Sequence, residues 1–280
     1  MSELIPGRLA RLSPTVWRLI APNPGMMTGP GTNTYFVGSA DGVIVIDPGP
    51  ADSRHTEAIV EQVPAPIVAI AVTHTHRDHS PGAAPLAERC GAPVHGQPAP
   101  PTPENDAGFR ADTVLRHGDV LRAPGVDLTV VHTPGHASNH VCFLDEATGM
   151  LFTGDHLMGG STVVIAPPDG DMSAYLESLR ALRELPIEFI APGHGPVIDE
   201  PRRLIDWTIA HRREREDKVV RALAANAPVT LARLVGAVYG DVDERLHPIA
   251  KYSLHAHLLK LERDGRAERR GDDWRPAARQ

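Results

Sequence analysis

The stretch Thr73-His74-Thr75-His76-Arg77-Asp78-His79-Ser80 decides the fold, because it places four metal-binding side chains directly after a core strand. Residues 67–72, which precede it, are all apolar and predict a strand buried on both faces. Ser80 and Pro81 follow, and serine before proline predicts a helix with Ser80 as its N-cap. The metal-binding side chains therefore belong to a turn between a buried strand and a helix, where α/β proteins place their sites. They are His74, His76, Asp78 and His79.

Three further predicted strands also end in turns that carry histidine or aspartate. These turns contain His136, Asp155 and His194, each beside glycine or proline. Residues at i and i+2 of an extended segment point the same way, so His74 and His76 can meet one ion. The predicted ligands of this ion are His74, His76 and His136, those of a second ion are Asp78, His79 and His194, and Asp155 can bridge the two. Imidazole with carboxylate suits zinc, and also iron or manganese. The alternative, a polar loop that happens to be rich in histidine, does not account for four such turns.

Three other residues are expected to support these ligands. Asp47 follows the apolar run 43–46, and its carboxylate is expected to act as a turn cap or to hold a ligand in place. His140 and His156 lie near the ligand turns and are expected to be hydrogen-bond partners of the site. Both are also candidates for protonating the leaving group. Asp78 is the predicted catalytic residue, which orients the nucleophile.

Together these residues resemble a known family. The series Asp47, His74-x-His76-x-Asp78-His79, His136, Asp155, His194 resembles the five motifs of the metallo-β-lactamase fold hydrolases, in that family's order over about residues 15–200. The resemblance implies an α/β fold, a four-layer αβ/βα sandwich, with two zinc ions bridged by Asp155. Residues 31–35 and 166–172 are similar to the β-lactamase-like protein 2 branch, which carries a C-terminal winged-helix domain. His156 departs from the family pattern, where small residues are common, and is expected to be a neighbour of the site.

Charge divides the chain near residue 200. Residues 1–200 carry 11 basic and 23 acidic side chains, whereas residues 201–280 carry 17 and 12. We therefore predict a hydrolase domain over 1–200, and a helical linker with a small winged-helix-like domain over 201–280. Apolar side chains at helical spacing predict three helices in the second part, and residues 266–275 predict a β-wing. The tail is expected either to contact nucleic acid or to serve packing or homodimer formation.

Composition narrows the class of protein. The 280 residues have a net charge of −7, which argues against whole-surface attraction to nucleic acid or membrane. The N-terminus has no apolar core of a signal peptide, and no segment has transmembrane length without charge. Two cysteines, Cys90 and Cys142, are expected to be reduced core thiols. These features predict a cytoplasmic protein that does not contact membranes.

The ligand set predicts a metal-dependent hydrolase. Two cations that share a water lower its pKa towards neutrality, so that hydroxide is available for attack at pH 7. The first hypothesis for the substrate is a phosphodiester, in particular single-stranded RNA, as the resemblance implies. The second is a thioester or ester, as in glyoxalase II, in which case the substrate is a small molecule. The third is a non-enzymatic winged-helix regulator, which the intact ligand set argues against.

Overall fold

The chain folds into two compact units. A computed structural model of the protein describes residues 4–278. The first unit comprises residues up to 133, then 139–162 and 184–202; the second comprises 134–138, 163–183 and the chain from residue 203. The domain boundary near residue 200, which the charge distribution predicts, stays a prediction.

The first unit contains two sheets and two helices. The strands of the first sheet lie side by side in chain order: β1 (Ala10–Arg11), β2 (Val16–Ile20), β3 (Asn33–Ser39), β4 (Gly42–Ile46), β5 (Ile67–Ala71), β6 (Val94–Gly96) and β7 (Thr113–Val114). Strands β1 to β4 are antiparallel, and β4 to β7 are parallel. The second sheet contains β8 (Val120–Ala123), β9 (Val126–His132), β10 (Val141–Asp145), β11 (Met150–Gly154) and β12 (Phe189–Pro192), in the order β12-β11-β10-β9-β8. Helices α1 (Ser53–Gln62) and α2 (Ala83–Cys90) complete the unit.

Two apolar layers hold the first unit together. One layer lies between the two sheets and is formed by alternate side chains of both, among them Tyr35, Ile44, Val130, Phe143 and Phe152. The other lies between the first sheet and its helices, and includes Phe36, Val45, Ile59, Ile70 and Leu86. Because β4 and β5 bury side chains in both layers, they are apolar throughout, as residues 43–46 and 67–72 predict. The α/β class is confirmed.

The second unit is mainly helical. Its helices are α3 (Met172–Arg183), α4 (Pro201–Asn226, in this unit from residue 203), α5 (Leu231–Val238) and α6 (His247–Arg263), with a short 3₁₀ turn over Glu244–Leu246. A small antiparallel sheet joins β13 (Val229–Thr230), β15 (Asp273–Pro276) and β14 (Ala267–Arg270), in that order. Its core contains Val219, Leu234, Leu254, Leu258 and Trp274. The predicted helices and β-wing are therefore present.

Helix α4 is 26 residues long, and charged side chains occur along its whole length. Within residues 4–278, no helix combines the length and the apolar character that crossing a membrane requires.

Two local predictions are wrong. Ser80 does not cap a helix, because α2 begins at Ala83 with Gly82 in the N-cap position. The Ser80 hydroxyl instead donates to the Asp106 carboxylate at 3.2 Å, which ties the ligand turn to a neighbouring loop. Cys90 is exposed rather than buried, because α2 buries the face that carries Ala83 and Leu86 and leaves its last turn in solvent. Cys142 is buried, as predicted.

The core between the two sheets predicts a large cost for removing Phe143. Phe143 is fully buried and lies opposite Phe152 in the neighbouring strand, whereas Phe189 at the sheet edge is 41% exposed. We expect Phe143→Ala to lower the free energy of unfolding by about 3–5 kcal/mol, through lost burial and a residual cavity. The matched change Phe189→Ala should cost at most about 1 kcal/mol. Urea unfolding of both variants measures the difference, and equal losses would contradict this account of the core.

Candidate metal centre

Four donor atoms of the first unit form a tight cluster. His79 Nε2 lies 3.5 Å from Asp78 Oδ2 and 3.4 Å from Asp155 Oδ1. His194 Nε2 lies 3.2 Å from each of the same two oxygens. Four ligands held tetrahedrally at about 2.0–2.1 Å from one ion lie about 3.4 Å from one another. The separations and the mixed nitrogen and oxygen donors therefore fit a single divalent cation.

Strand ends bring these donors together from distant parts of the chain. Asp155 directly follows β11, and His194 follows β12, which pairs with β11 in parallel, so both residues leave the sheet at one edge. Gly193 is required between them because a Cβ atom there would lie 2.7 Å from His79 Cε1 and 2.8 Å from Asp155 Oδ1. The glycine lets the backbone approach the donors, as the glycine and proline beside the predicted ligands indicate.

His74 and His76 lie at the same edge. The His74 ring centroid is 4.5 Å from that of His76 and 4.3 Å from that of His79. His74, His79 and Asp155 can each offer a ligand atom to one ion. The structure thus brings six of the seven predicted ligands together within the first unit.

Asp47 holds one of the ligands without belonging to the donor cluster. Its carboxylate accepts three hydrogen bonds of 2.8 Å, from Thr73 N, Thr73 Oγ1 and His79 Nδ1. The Thr73 hydroxyl, having donated to Asp47, accepts from His74 Nδ1 at 3.0 Å. In both imidazoles Nδ1 is therefore the nitrogen that donates, which leaves Nε2 as the nitrogen that a metal ion would bind. Asp47 is predicted from the sequence to support the ligands, and these hydrogen bonds are consistent with that prediction; Thr73 is not among the predicted residues.

The turn that carries His194 is held by the segment before β3. His194 Nδ1 donates to the carbonyl oxygen of Gly31 at 3.3 Å. Asn33 Nδ2 donates to the carbonyl oxygens of Pro192 and Gly195 at 2.8 and 2.9 Å, and Tyr35 Oη donates to the same Pro192 oxygen. These contacts explain the stretch Gly31-Thr32-Asn33-Thr34-Tyr35, to which the sequence assigned no structural role. The sequence feature that could have indicated this role is the run of polar residues 32–34 at the start of a buried strand.

Opposite charges compensate one another in the cluster. Burial disfavours charge, but the neighbouring carboxylates raise the pKa of His79 well above its ordinary value and that of His194 to about 10. Likewise, burial is outweighed by these histidines, which hold the pKa of Asp155 well below its ordinary range and lower that of Asp78 to about 2. The ionised carboxylates thus require positive charge beside them. A divalent cation supplies that charge, and its ligands bind in their deprotonated form.

His140 and His156 lie behind the ligands. The His140 ring stacks on the His74 ring with centroids 5.0 Å apart, and its Nδ1 is 2.9 Å from Thr133 Oγ1. The His156 ring lies 5.7 Å from that of His140. Both side chains are fully buried and lie away from solvent. That they form hydrogen bonds to the ligands stays a prediction.

His136, the seventh predicted ligand, belongs to the second unit, in residues 134–138. Its Nδ1 lies 2.7 Å from the carbonyl oxygen of Val164 in the same unit. A carbonyl oxygen only accepts, so His136 also donates from Nδ1 and leaves Nε2 for a metal ion, like His74, His79 and His194.

Comparison with protein families identifies both parts of the chain. The metallo-beta-lactamase superfamily model matches residues 27–194, and the beta-lactamase associated winged helix domain model matches residues 230–274. The predicted fold class and the predicted winged-helix domain are confirmed. The match also favours the predicted hydrolase over the non-enzymatic regulator.

Individual relatives agree with this family. A beta-lactamase-like protein 2 homolog of Drosophila melanogaster is 35% identical over 94% of this chain and 92% of its own length. An atrochrysone carboxyl ACP thioesterase of Aspergillus chevalieri is 33% identical over 91% of this chain and 83% of its own length. The crystal structure of a metallo-beta-lactamase family protein from Thermus thermophilus has a TM-score of 0.80 and is 22% identical, covering 95% of this chain and 100% of that chain. The last likeness concerns the fold.

The contacts of Asp47 predict that it governs metal affinity without being a ligand. Asp47→Asn should weaken metal binding about 10- to 100-fold, because His79 loses the carboxylate that orients its imidazole. Asp145→Asn is the matched control, since Asp145 is equally buried but binds Thr148 and Ala147 in a hairpin turn. Competition with a chromogenic chelator measures both affinities. Unchanged affinity in Asp47→Asn would refute the role given to this carboxylate.

Proposed function

The chain belongs to the metallo-beta-lactamase superfamily and is a hydrolase, and we propose that it works with two metal ions, zinc first, with iron or manganese as alternatives. Asp78, His79 and His194 would hold one ion, His74, His76 and His136 the other, and Asp155 would bridge them. The observation that carries this proposal is the cluster of four donor atoms 3.2–3.5 Å apart. His74, His76 and His136 offer three imidazoles, a donor type that suits zinc.

When bound, the metal ions would lower the pKa of water and polarise the bond to be cleaved. Asp78 would orient the attacking water through its carboxylate. Its side chain is 28% exposed, whereas those of Asp155, His194 and His79 are 13%, 6% and 0% exposed, so Asp78 faces solvent most openly. With a pKa lowered to about 2, Asp78 is ionised at neutral pH, so its carboxylate would accept a hydrogen bond from that water. Thr32 Oγ1 donates to Asp78 Oδ2 at 3.4 Å and helps to hold it.

A thioester with an apolar acyl group is the substrate class that we favour. Relatives about as similar to this chain as the beta-lactamase-like protein 2 homologs are named as thioesterases. Met26 and Met27 are 70% and 52% exposed at the tip of a tight turn closed by Gly25 and Gly29. This turn shortly precedes Thr32, whose hydroxyl donates to Asp78 Oδ2. We therefore assign the two exposed methionines to the acyl chain of the substrate. In the reaction the water oxygen bonds to the acyl carbon, the carbon–sulfur bond breaks, and the leaving sulfur takes up a proton.

Single-stranded RNA is the second candidate. The observation in its favour is the winged-helix match over residues 230–274. Residues 201–280 carry 17 basic and 12 acidic side chains, although the matched residues themselves carry 8 of each. Against it stands the balance of residues 1–200, with 23 acidic and 11 basic side chains, which repels a polyanion.

The metal content tests the first part of the proposal. Protein purified without chelators should contain about two equivalents of zinc, iron or manganese. Asp155→Ala and His76→Ala should each lose metal and hydrolytic activity while keeping the fold, since both side chains lie at a sheet edge outside the core. Elemental analysis, circular dichroism and turnover measure these quantities. Metal-free wild-type protein, or full turnover of both variants at limiting metal, would contradict it.

Paired assays test the substrate. Wild-type protein should hydrolyse the N-acetylcysteamine thioester of an apolar acid, and Met26→Ser with Met27→Ser should raise KM for this thioester more than for the acetyl thioester. A single-stranded RNA oligonucleotide should remain uncut under the same conditions. The Asp155→Ala variant controls for contaminating activity. RNA cleavage that Asp155→Ala abolishes, without thioester hydrolysis, would establish the second candidate instead.

A further inference from the structure

We propose that the C-terminal helical unit positions the metal ligand His136, with Ser253 and Arg263 of α6 as the positioning residues. The proposal rests on the function above, in which His136 is a ligand. It concerns contacts inside the second unit, which contains residues 134–138, residues 163–183 and the C-terminal helices. These contacts form two layers. The inner layer lies between the His136 loop and residues 163–178, and the outer layer lies between residues 163–171 and helices α4 and α6.

The inner layer holds the loop of residues 134–138. His136 Nδ1 donates to the carbonyl oxygen of Val164 at 2.7 Å. Ser138 N donates to Asp169 Oδ1 at 3.2 Å, and Asp171 N donates to the carbonyl oxygen of Gly135 at 2.8 Å. The loop therefore takes its position from residues 164–171 on both sides of the histidine.

Helix α3 adds close packing to the same loop. A Cβ atom at Gly135 would lie 2.3 Å from the Cα atom of Tyr175, so only glycine allows the loop to approach the helix this closely. Ser178 Oγ donates to the carbonyl oxygen of Pro134 at 2.8 Å. With both ends of the loop fixed, His136 has little freedom to move apart from its supports.

The outer layer fixes the supports themselves. Ile165 N, next to the carbonyl that binds His136, donates to Ser253 Oγ at 3.2 Å. Arg212 of α4 donates to the carbonyl oxygen of Val163, on the other side of Val164. Both neighbours of Val164 are thus held by the helices, and Val164 itself accepts from the histidine. Ile165 is fully buried and Ser253 is 5% exposed, so loss of the Ser253 hydroxyl would leave Ile165 N without an acceptor from solvent, at a cost in free energy.

A second contact joins α6 to the same segment. Arg263 Nη1 donates to Asp171 Oδ2 at 2.6 Å. The other oxygen of Asp171 accepts from Ser173 N and Ala174 N and caps the start of α3. Arg263 therefore steadies a residue whose backbone N–H binds the His136 loop. A displacement of α6 would shift residues 163–171, and His136 would move with them.

The two outer contacts differ in burial, which supplies two independent variants. Ser253→Ala removes a buried acceptor, and Ser253→Thr restores the hydroxyl. Arg263→Gln removes an ion pair whose arginine is 53% exposed, so the fold should tolerate the change. Two controls match them within the same unit. Thr208 is 2% exposed and donates to the carbonyl oxygen of Leu204 inside α4, and Arg183 forms an equally short exposed ion pair with Asp206.

The experiment measures zinc affinity of full-length protein by competition with a chromogenic chelator, and ligand geometry by the absorption spectrum of the cobalt-substituted protein. Ser253→Ala should weaken the more weakly held zinc by about tenfold, the low end for loss of an outer partner of a ligand. Its cobalt spectrum should change, and Ser253→Thr should restore both. Arg263→Gln should act in the same direction, and Thr208→Ala and Arg183→Gln should match wild type.

His136→Ala separates the two proposals. It should lose one zinc, as the proposed ligand set requires. If it loses one zinc while Ser253→Ala and Arg263→Gln keep wild-type affinity and spectra, the positioning role is refuted and the ligand set stands. Equal losses in the Thr208→Ala control would also refute the positioning role, since general destabilisation would explain them. If His136→Ala keeps both ions, the ligand set and the positioning role both fail.

Discussion

The carboxylate of Asp47 joins the ends of β4 and β5, and the donor cluster depends on that connection. It is 2% exposed, and burying a charged group is costly unless hydrogen bonds replace its hydration. Thr73 and His79 supply three such bonds. Asp47 also adopts a left-handed backbone conformation with φ of 51°, which costs on the order of 1–3 kcal/mol. Hydrogen bonds to a charged group contribute about 1.5–3 kcal/mol each, so the contacts outweigh the strain that they impose.

The parts of the site that sequence reasoning found are those encoded locally. His74, His76, Asp78 and His79 stand within six consecutive residues after an apolar run, and their spacing alone indicates a metal site. What it missed depends on tertiary contacts between distant segments. Thr73 can accept from His74 because its own hydroxyl donates to Asp47, and Asn33 holds the His194 turn across 159 or more residues of sequence. The prediction for Ser80 was wrong for the same reason. Its hydroxyl donates to Asp106, a residue of another loop, and does not cap a helix as the local sequence predicts.

Four of the predicted ligand histidines are oriented in the same way by four different partners. His74, His79, His136 and His194 all donate from Nδ1, to Thr73, Asp47, Val164 and Gly31 respectively. A histidine so fixed presents Nε2 without first losing rotational freedom, which favours metal binding. Three of these partners lie in the sheet unit and one in the helical unit. Because an imidazole can be no more rigid than its partner, the helical unit would set how precisely His136 is positioned, as we propose above.

The charge of the site bears on the choice between thioester and RNA. Two divalent cations beside Asp78 and Asp155 would leave a positive centre in a unit whose charged side chains are predominantly acidic. At physiological salt, exposed charges act over only about 8 Å, so this centre would attract a single polarised oxygen at contact distance but not a strand several nucleotides long. A polyanion would need further basic surface along its path, and in residues 1–200 acidic side chains outnumber basic ones by 23 to 11. A thioester carbonyl needs only the centre itself, and the exposed Met26 and Met27 suit its acyl chain better than a phosphate backbone.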